Sequence, residues 1–432
     1  MSADPLAARA RSSPKGLALI DRGDPPTPLT WAQLDAMAAL WAHRLTAAGI
    51  VRGDRVAVAD PAGARFAALL HACIRIGAVI VPLPSRGRDN ELARLIAQAR
   101  PRAVIRHGEV ELHEAGMRAE GDLCLLFTSG TMGAPKPVRL TLANHRASAR
   151  GLLESIGRRR DDTWLLMLSP HHVGGFAIYM RSVLHGQAVV SLPAFDAAAA
   201  IAALEDERPS LVSAVPSMIT RLLDAGGERA LSRPRAILVG GAPATSDQVR
   251  EWVRVGLNVC PTYGMTETCS QVATVPPGRA LELLGTAGFV HGQASVTIDD
   301  GVIGVSGPVV SPSFDGTVLT GDIGHFDDRG ALVVIGRKDD VIITGGEKVH
   351  PAEIEDVLRA HPAVHEVAVV GRPDRVYGEA LEALVVRQGV VSEAEIVAWS
   401  RERLPGHKVP RVVRFVELLP RSEGGKLLRR EL

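Results

Sequence analysis

The feature that most restricts the fold is a regular alternation of short apolar, β-rich runs with helical patterns. Runs at 17–20, 55–59, 78–82 and 103–105 are separated by helical stretches such as 31–48 and 64–76. The alternation resumes at 163–168 and continues through 188–192, 211–215 and 236–239, with helices expected at 176–184, 198–204 and 217–223. Strand and helix in turn imply an α/β fold of parallel-type sheets covered by helices, with room for two similar halves.

Beyond residue 285 the character changes. Short strands at 295–298, 304–305, 317–320 and 331–335 read as a small β-rich subdomain. From 339 a helix (351–360), strands (364–370 and 381–386), a second helix (392–403) and a strand (411–417) read as an α+β domain. The expected division is therefore 1–337, containing the β-rich part at about 285–337, and 338–432.

At 432 residues the chain is too long for one ordinary core. Lys and Arg number 49 against 48 Asp and Glu, so no overall field recommends nucleic acid or an anionic membrane as partner. The four cysteines, Cys73, Cys124, Cys260 and Cys269, show no CxxC spacing and read as reduced thiols. The first fourteen residues lack the apolar run of a signal peptide, and the most apolar window, 66–84, is interrupted by His71 and Arg75. The expectation is a cytoplasmic protein without membrane insertion, with a homo-oligomer left open.

One stretch stands out for chemistry: Thr128-Ser129-Gly130-Thr131-Met132-Gly133-Ala134-Pro135-Lys136, after the apolar run 123–127 and before a helix expected from about Asn144. Hydroxyls and free N–H groups can face phosphate oxygens, glycines permit unusual backbone angles, and Lys136 adds charge. It is not a P-loop, because Pro135 occupies the place of the glycine before the lysine. Taken alone it could equally be a surface turn.

Four further stretches bear on it. Gly240-Gly241-Ala242-Pro243 follows a strand and lets a flat ring or a phosphate approach the backbone. Tyr263-Gly264-Met265-Thr266-Glu267 sets an aromatic face for adenine beside a hydroxyl and a carboxylate suited to phosphate and Mg²⁺; its plain alternative is a strand-to-helix loop. Asp322 in Thr320-Gly321-Asp322 could accept a ribose diol, with Arg337 clamping the same nucleotide. Lys426 in Gly424-Gly425-Lys426 lies on a glycine-rich tip.

In this order and at these separations the stretches resemble the adenylate-forming superfamily of acyl-CoA synthetases, peptide-synthetase adenylation domains and luciferases, over nearly the whole chain from about Leu29. The resemblance implies a carboxylic acid, ATP with Mg²⁺, and coenzyme A as reactants. The acid attacks the α-phosphate and expels pyrophosphate, and a thiol then attacks the acyl adenylate. It also implies roles by matching motif. Thr128, Ser129, Gly130, Thr131, Gly133, Lys136, Gly241, Ala242, Pro243, Tyr263, Asp322 and Arg337 hold the nucleotide. Glu267 holds Mg²⁺, Thr266 assists, and Lys426 faces the reacting carboxylate. Asp339 is the hinge of a swivelling small domain, and Gly345 and Gly346 flank the coenzyme A tunnel.

Ser169-Pro170-His171-His172-Val173-Gly174-Gly175 resembles the stretch whose histidine closes over the acyl pocket, with His172 at that place. This stretch, Arg181 and the run from Thr262 to Gln271 are most similar to the o-succinylbenzoate-CoA ligases of menaquinone biosynthesis. The acyl pocket so implied takes His172, Gly174, Arg181, Gly240, Gly264, Met265, Thr268, Ser270 and Gln271. The substrate of those ligases carries a second carboxylate, which needs a cation or hydrogen bonds once out of water. Arg181 could provide the charge directly or through water, and Thr268, Ser270 and Gln271 the hydrogen bonds. The alternatives are a ligase for benzoate- or anthranilate-like acids, an adenylation enzyme loading a separate carrier protein, and a non-catalytic adenylate binder; the last would fit loss of Lys426, Glu267 or Asp322, and all three are present. Pro137 stands where the family usually has glycine, and the span 285–320 is short.

Overall fold

The computed structural model describes residues 4–23, 25–87, 89–114, 116–128, 135–421 and 427–432. Strands Arg55–Val58, Val79–Pro82, Ala103–Arg106 and Cys124–Thr128 lie parallel in a six-stranded sheet. Antiparallel strands Glu109–Leu112 and Lys136–Leu140 close its two edges. A nine-stranded sheet runs parallel through Leu17–Asp21, Ala188–Ser191, Thr163–Leu166, Leu211–Ala214, Ala236–Val239 and Val259–Met265. Its edges are antiparallel: Thr27–Thr30 on one side, Ser270–Thr274 and Phe289–Val290 on the other. The two sheets share the parallel core with antiparallel edges but differ in size.

The apolar strands are continuous because both faces are covered. Val56, Val58 and Ile80 point into one core cluster, while Ala57, Val79 and Val81 point into another. In the larger sheet Trp164, Leu166 and Leu238 enter the first cluster, and Leu165, Ile237 and Val239 enter a third. The first cluster therefore joins both sheets through the helices between them, Ala64–Ile76 and Val173–His185. Phe66 meets Phe176 edge-on at 6.5 Å and Tyr179 at 5.4 Å. No helix among the described residues is long and apolar enough to cross a membrane.

One local expectation is corrected. The stretch 128–136 does not lead directly into a helix but into the strand Lys136–Leu140, which turns back beside Cys124–Thr128 so that Thr128 pairs with Lys136. Its Lys, Pro and Arg disguise it, yet it alternates as an edge strand should: Val138 and Leu140 are buried and Arg139 is exposed. Pro137 is tolerated there because an edge strand pairs on one side only. The helix starts at Leu142, where Thr141 and Asn144 form a capping box.

Residues Ser295–Asp299, Val302–Ser306, Thr317–Phe326 and Leu332–Arg337 form a four-stranded antiparallel sheet. The C-terminal part builds a five-stranded sheet flanked by the helices Pro351–Arg359 and Glu393–Arg403 around Ile354, Leu358, Val367, Val385 and Ile396.

Candidate active site

The parallel strands Thr163–Leu166, Ala236–Val239 and Val259–Met265 all end on one edge of the large sheet. Their outgoing chain delivers Ser169 to His172, Gly240 to Pro243, and Met265 to Ser270 to that edge, the usual place for ligands in α/β sheets. Close approach fixes the glycines here. A Cβ on Gly240 would lie 2.5 Å from Thr262 Oγ1, and one on Gly264 would lie 2.0 Å from the Ser270 carbonyl oxygen.

Tyr263, Asp322 and Arg337 come together. The Tyr263 hydroxyl donates to Asp322 Oδ2 at 2.7 Å, and Arg337 Nη1 stands 3.3 Å from Asp322 Oδ1. Sheet register makes this meeting, since Asp322 pairs directly with Arg337 across neighbouring antiparallel strands. The Thr320 hydroxyl accepts from the Asp322 N–H at 3.0 Å and holds the turn. Burial, and then the Asp322 charge, raise the Tyr263 phenol well above its ordinary pKa, so it remains a donor.

Tyr263 lies on the first strand of a hairpin whose second strand is Ser270–Thr274. The connection is a short 3-10 turn, Thr266–Thr268, followed by two residues at positive φ, Cys269 at 53° and Ser270 at 99°. Such angles in residues with side chains carry strain that the surroundings must hold in place. The Thr268 hydroxyl is buried in the turn, accepting from the Met265 N–H and lying within hydrogen-bond reach of the Ser270 carbonyl. Glu267 is half-buried, and its backbone carbonyl accepts from the Ser311 N–H at 2.8 Å. Among the described residues its carboxylate has no side-chain partner, and no three His, Cys, Asp or Glu side chains gather as a metal cluster. One free carboxylate suits Mg²⁺, which takes most of its ligands from water and phosphate.

Arg181 is 2% exposed, at the centre of the helix Val173–His185. Its Nη2 donates to Ser270 Oγ at 3.1 Å and to Gln271 Oε1. Among the described residues its buried Nε has no partner, and no carboxylate pairs with it. Burial lowers its pKa, but a guanidinium stays charged at neutral pH. The Trp164 ring lies 5.7 Å from the guanidinium carbon. His172 begins the same helix, exposed at its N-terminus and hydrogen-bonded to none of the described side chains. Protein mass surrounds it on most sides, and that enclosure lowers its pKa. The His171 ring lies 4.1 Å from it, tilted by 44°, accepts or donates at Ser169 Oγ at 2.6 Å, and is pushed down to about 3 by burial and then by His172. Gly174 faces Leu168, leaving no room for a larger residue without a shift.

Other expected residues stand apart or outside this arrangement. Lys136 is exposed at the start of its strand, and Pro243 is exposed beside Gly241, whose φ is +78°. Gly345 and Gly346, both at positive φ, make the two-residue turn of a hairpin in the C-terminal sheet, as such turns require. Asp339 is exposed in a short 3-10 turn. Ser129, Gly130, Thr131, Gly133 and Lys426 lie outside the described residues.

The sequence reading overlooked His145, buried on the helix Leu142–Ile156 between two thiols. Cys269 Sγ is 3.3 Å from its Nδ1 and Cys124 Sγ is 3.5 Å from its Nε2. The available signal was helical spacing, since His145, Ser148 and Leu152 share one buried face, and Gln271 donates to the Ser148 carbonyl at 3.2 Å.

Residues 6–122 and 113–309 match the AMP-binding enzyme family, and residues 353–426 match the AMP-binding enzyme C-terminal domain. The 2-succinylbenzoate–CoA ligase of Bacillus mycoides (strain KBAB4) is 35% identical over 94% of this chain and 93% of its own length. Among solved structures, o-succinylbenzoate CoA synthetase from Bacillus subtilis in complex with the acyl-adenylate intermediate superposes with a TM-score of 0.89 at 31% identity, covering 99% of this chain and 97% of that one. ATP-bound MatB from Rhodopseudomonas palustris also gives 0.89, at 28% identity, covering 100% and 98%.

Proposed function

The chain belongs to the AMP-binding enzymes and is an AMP-forming acid–thiol ligase, and on that premise we propose that its acid is 2-succinylbenzoate, activated with ATP and Mg²⁺ and passed to coenzyme A. The observation that carries the choice of acid is Arg181, a buried guanidinium without an acidic partner among the described residues. An isolated buried charge costs several kcal/mol, roughly, and an incoming anion offsets that cost. A monoacid offers no spare anion once its only carboxylate is at the reaction centre. A diacid does, and Arg181 receives the unreacted carboxylate directly or through a water, with Ser270 and Gln271 as the polar surround.

In this reading Tyr263 stacks on adenine, and Asp322 accepts the ribose hydroxyls. Its carboxylate has about four lone-pair sites, so Tyr263 and Arg337 leave capacity for a diol. Glu267 would hold Mg²⁺, which when bound would supply charge neutralisation at the phosphates. Lys136 and the hydroxyl-rich stretch before it clamp the pyrophosphate side. Lys426 faces the carboxylate and the α-phosphate, and catalysis is chiefly electrostatic placement of these cations. His172, exposed at the helix N-terminus, closes over the acid. The segment from Asp339 onward moves between the two half-reactions, so that Lys426 withdraws and coenzyme A enters beside Gly345 and Gly346. All four cysteines are buried free thiols, which supports a reducing, cytoplasmic setting.

Pyrophosphate release and thioester formation with 2-succinylbenzoate, benzoate and anthranilate test the reading. Turnover of the diacid in preference to both monoacids is expected; turnover of the monoacids alone overturns it, and pyrophosphate release without thioester points to a carrier-loading enzyme.

A further inference from the structure

We propose that Cys269 and His145 are positioning residues for acid recognition: the imidazole, wedged between Cys269 and Cys124, holds the left-handed turn that presents Ser270 and Gln271 to Arg181. The inference rests on the reading of Arg181 as the acid's receiver.

Three observations meet at this point. The chain reverses through Cys269 and Ser270, both at positive φ, and neither angle is comfortable for a residue with a side chain. The Cys269 side chain leaves this turn for the interior and meets His145 Nδ1 at 3.3 Å; the opposite ring nitrogen meets Cys124 Sγ at 3.5 Å. The residues immediately after Cys269 carry both hydrogen-bond acceptors that Arg181 has among the described residues, Ser270 Oγ and Gln271 Oε1. A small displacement of Cys269 is thus passed directly to the guanidinium's partners.

A neutral imidazole carries one N–H and one bare nitrogen. With a thiol at each end, one sulfur accepts from the ring and the other donates to it, so the three groups form a chain that is satisfied without any charge. Burial favours that state throughout: it raises both thiols and pushes His145 down to about 3, with the Arg181 charge acting in the same direction on the imidazole. Arg181 therefore keeps the only cation in this cluster of four side chains. Packing fixes the ring further, since Phe176 lies 5.2 Å from it on the helix that carries Arg181. The thiols lie on opposite ring nitrogens and do not converge on a point where a metal ion could sit.

The test compares Cys269→Ala and Cys269→Ser with wild type in steady-state kinetics with 2-succinylbenzoate, ATP and coenzyme A. Loss of the sulfur contact in Cys269→Ala is expected to raise KM for the acid about tenfold with KM for ATP unchanged, and the serine, which can still hydrogen-bond His145, to recover most of it. Equal rises for acid and ATP, or an unchanged acid KM in the alanine variant, overturn the proposal. If the alanine variant does not fold, His145→Leu, which leaves both thiols without the ring, decides: a raised acid KM with KM for ATP unchanged supports the proposal, and an unchanged acid KM or equal rises for both overturn it. Wild-type turnover of 2-succinylbenzoate is the separate control; its absence sinks the substrate assignment rather than the positioning role.

Discussion

The hairpin Val259–Met265/Ser270–Thr274 lies against the two proposed recognition ends, which are built on opposite electrostatic plans. At the end proposed for the nucleotide, Asp322 already has its cation, Arg337, and a phenolic donor, Tyr263, so the carboxylate proposed to receive the sugar is charge-balanced beforehand. At the end proposed for the acid, Arg181 is 2% exposed, and among the described residues its Nε is unpartnered and its acceptors are neutral. A balanced site can be made or emptied with little electrostatic change. An unbalanced buried cation awaits its counter-charge, and specificity follows from the cost of leaving it alone. On the proposed assignment, the nucleotide end would select by shape and hydrogen bonds and the acid end by charge.

The largest expected effect abolishes the distinction between the ends. Lys426 is assigned to the point where acid and α-phosphate meet, so Lys426→Ala should lower pyrophosphate release by about two to three orders of magnitude or more. Thioester formation from a supplied acyl adenylate should survive. Normal ATP–pyrophosphate exchange in this variant would remove Lys426 from the first half-reaction.

Next in size is a pair of substitutions that should separate the two ends. Truncating one partner of a buried charge pair typically costs about 2–5 kcal/mol, so Arg181→Ala should raise KM for 2-succinylbenzoate by about a hundredfold or more and leave KM for ATP near wild type. Asp322→Asn should do the reverse at about tenfold on ATP, because a neutral amide keeps one acceptor and loses the charge assistance. Steady-state kinetics with each substrate varied in turn decides the matter. If both variants moved both constants together, the two ends would be one coupled site and the contrast would fail.

The two ends also differed in how readily the sequence disclosed them. Asp322 and Arg337 are held together by register and lie in short contiguous motifs, so a strand-and-turn reading pairs them, whereas Tyr263, on another sheet, joined them through resemblance. The alternation of apolar runs disclosed the parallel sheets for the same reason, since strands buried on both faces must be apolar throughout. Arg181 was visible only through resemblance. A lone arginine inside an apolar helix looks like any solvated side chain until the neighbouring sheet is folded over it. His145 and its two thiols were not disclosed at all, because the three residues stand far apart in the chain and meet only through packing. Lys136–Leu140 was missed for a different reason: an edge strand faces water on one side, and its Lys, Pro and Arg mask the period of two.

The smallest expected effect concerns pH and again separates the ends. His145 is buried at the acid end and pushed down to about 3, while an unfolded histidine titrates near about 6.5. Between those values the unfolded chain binds a proton that the folded chain refuses, so the depressed base makes folding stability fall as pH drops through this window and contributes no slope above it. The slope approaches about 1.4 kcal/mol per pH unit for one such group. His145→Gln offers an N–H and a carbonyl in place of the ring and has nothing to titrate, so its stability should fall less steeply by about that amount between pH 6 and pH 5. Tyr263→Phe, at the nucleotide end, should leave the slope as it is, because a phenol held as a donor with its pKa raised by burial takes up no proton in this range. Denaturant unfolding of the three proteins at the two pH values measures this, and a wild-type slope in His145→Gln would mean that the imidazole is already charged between its thiols.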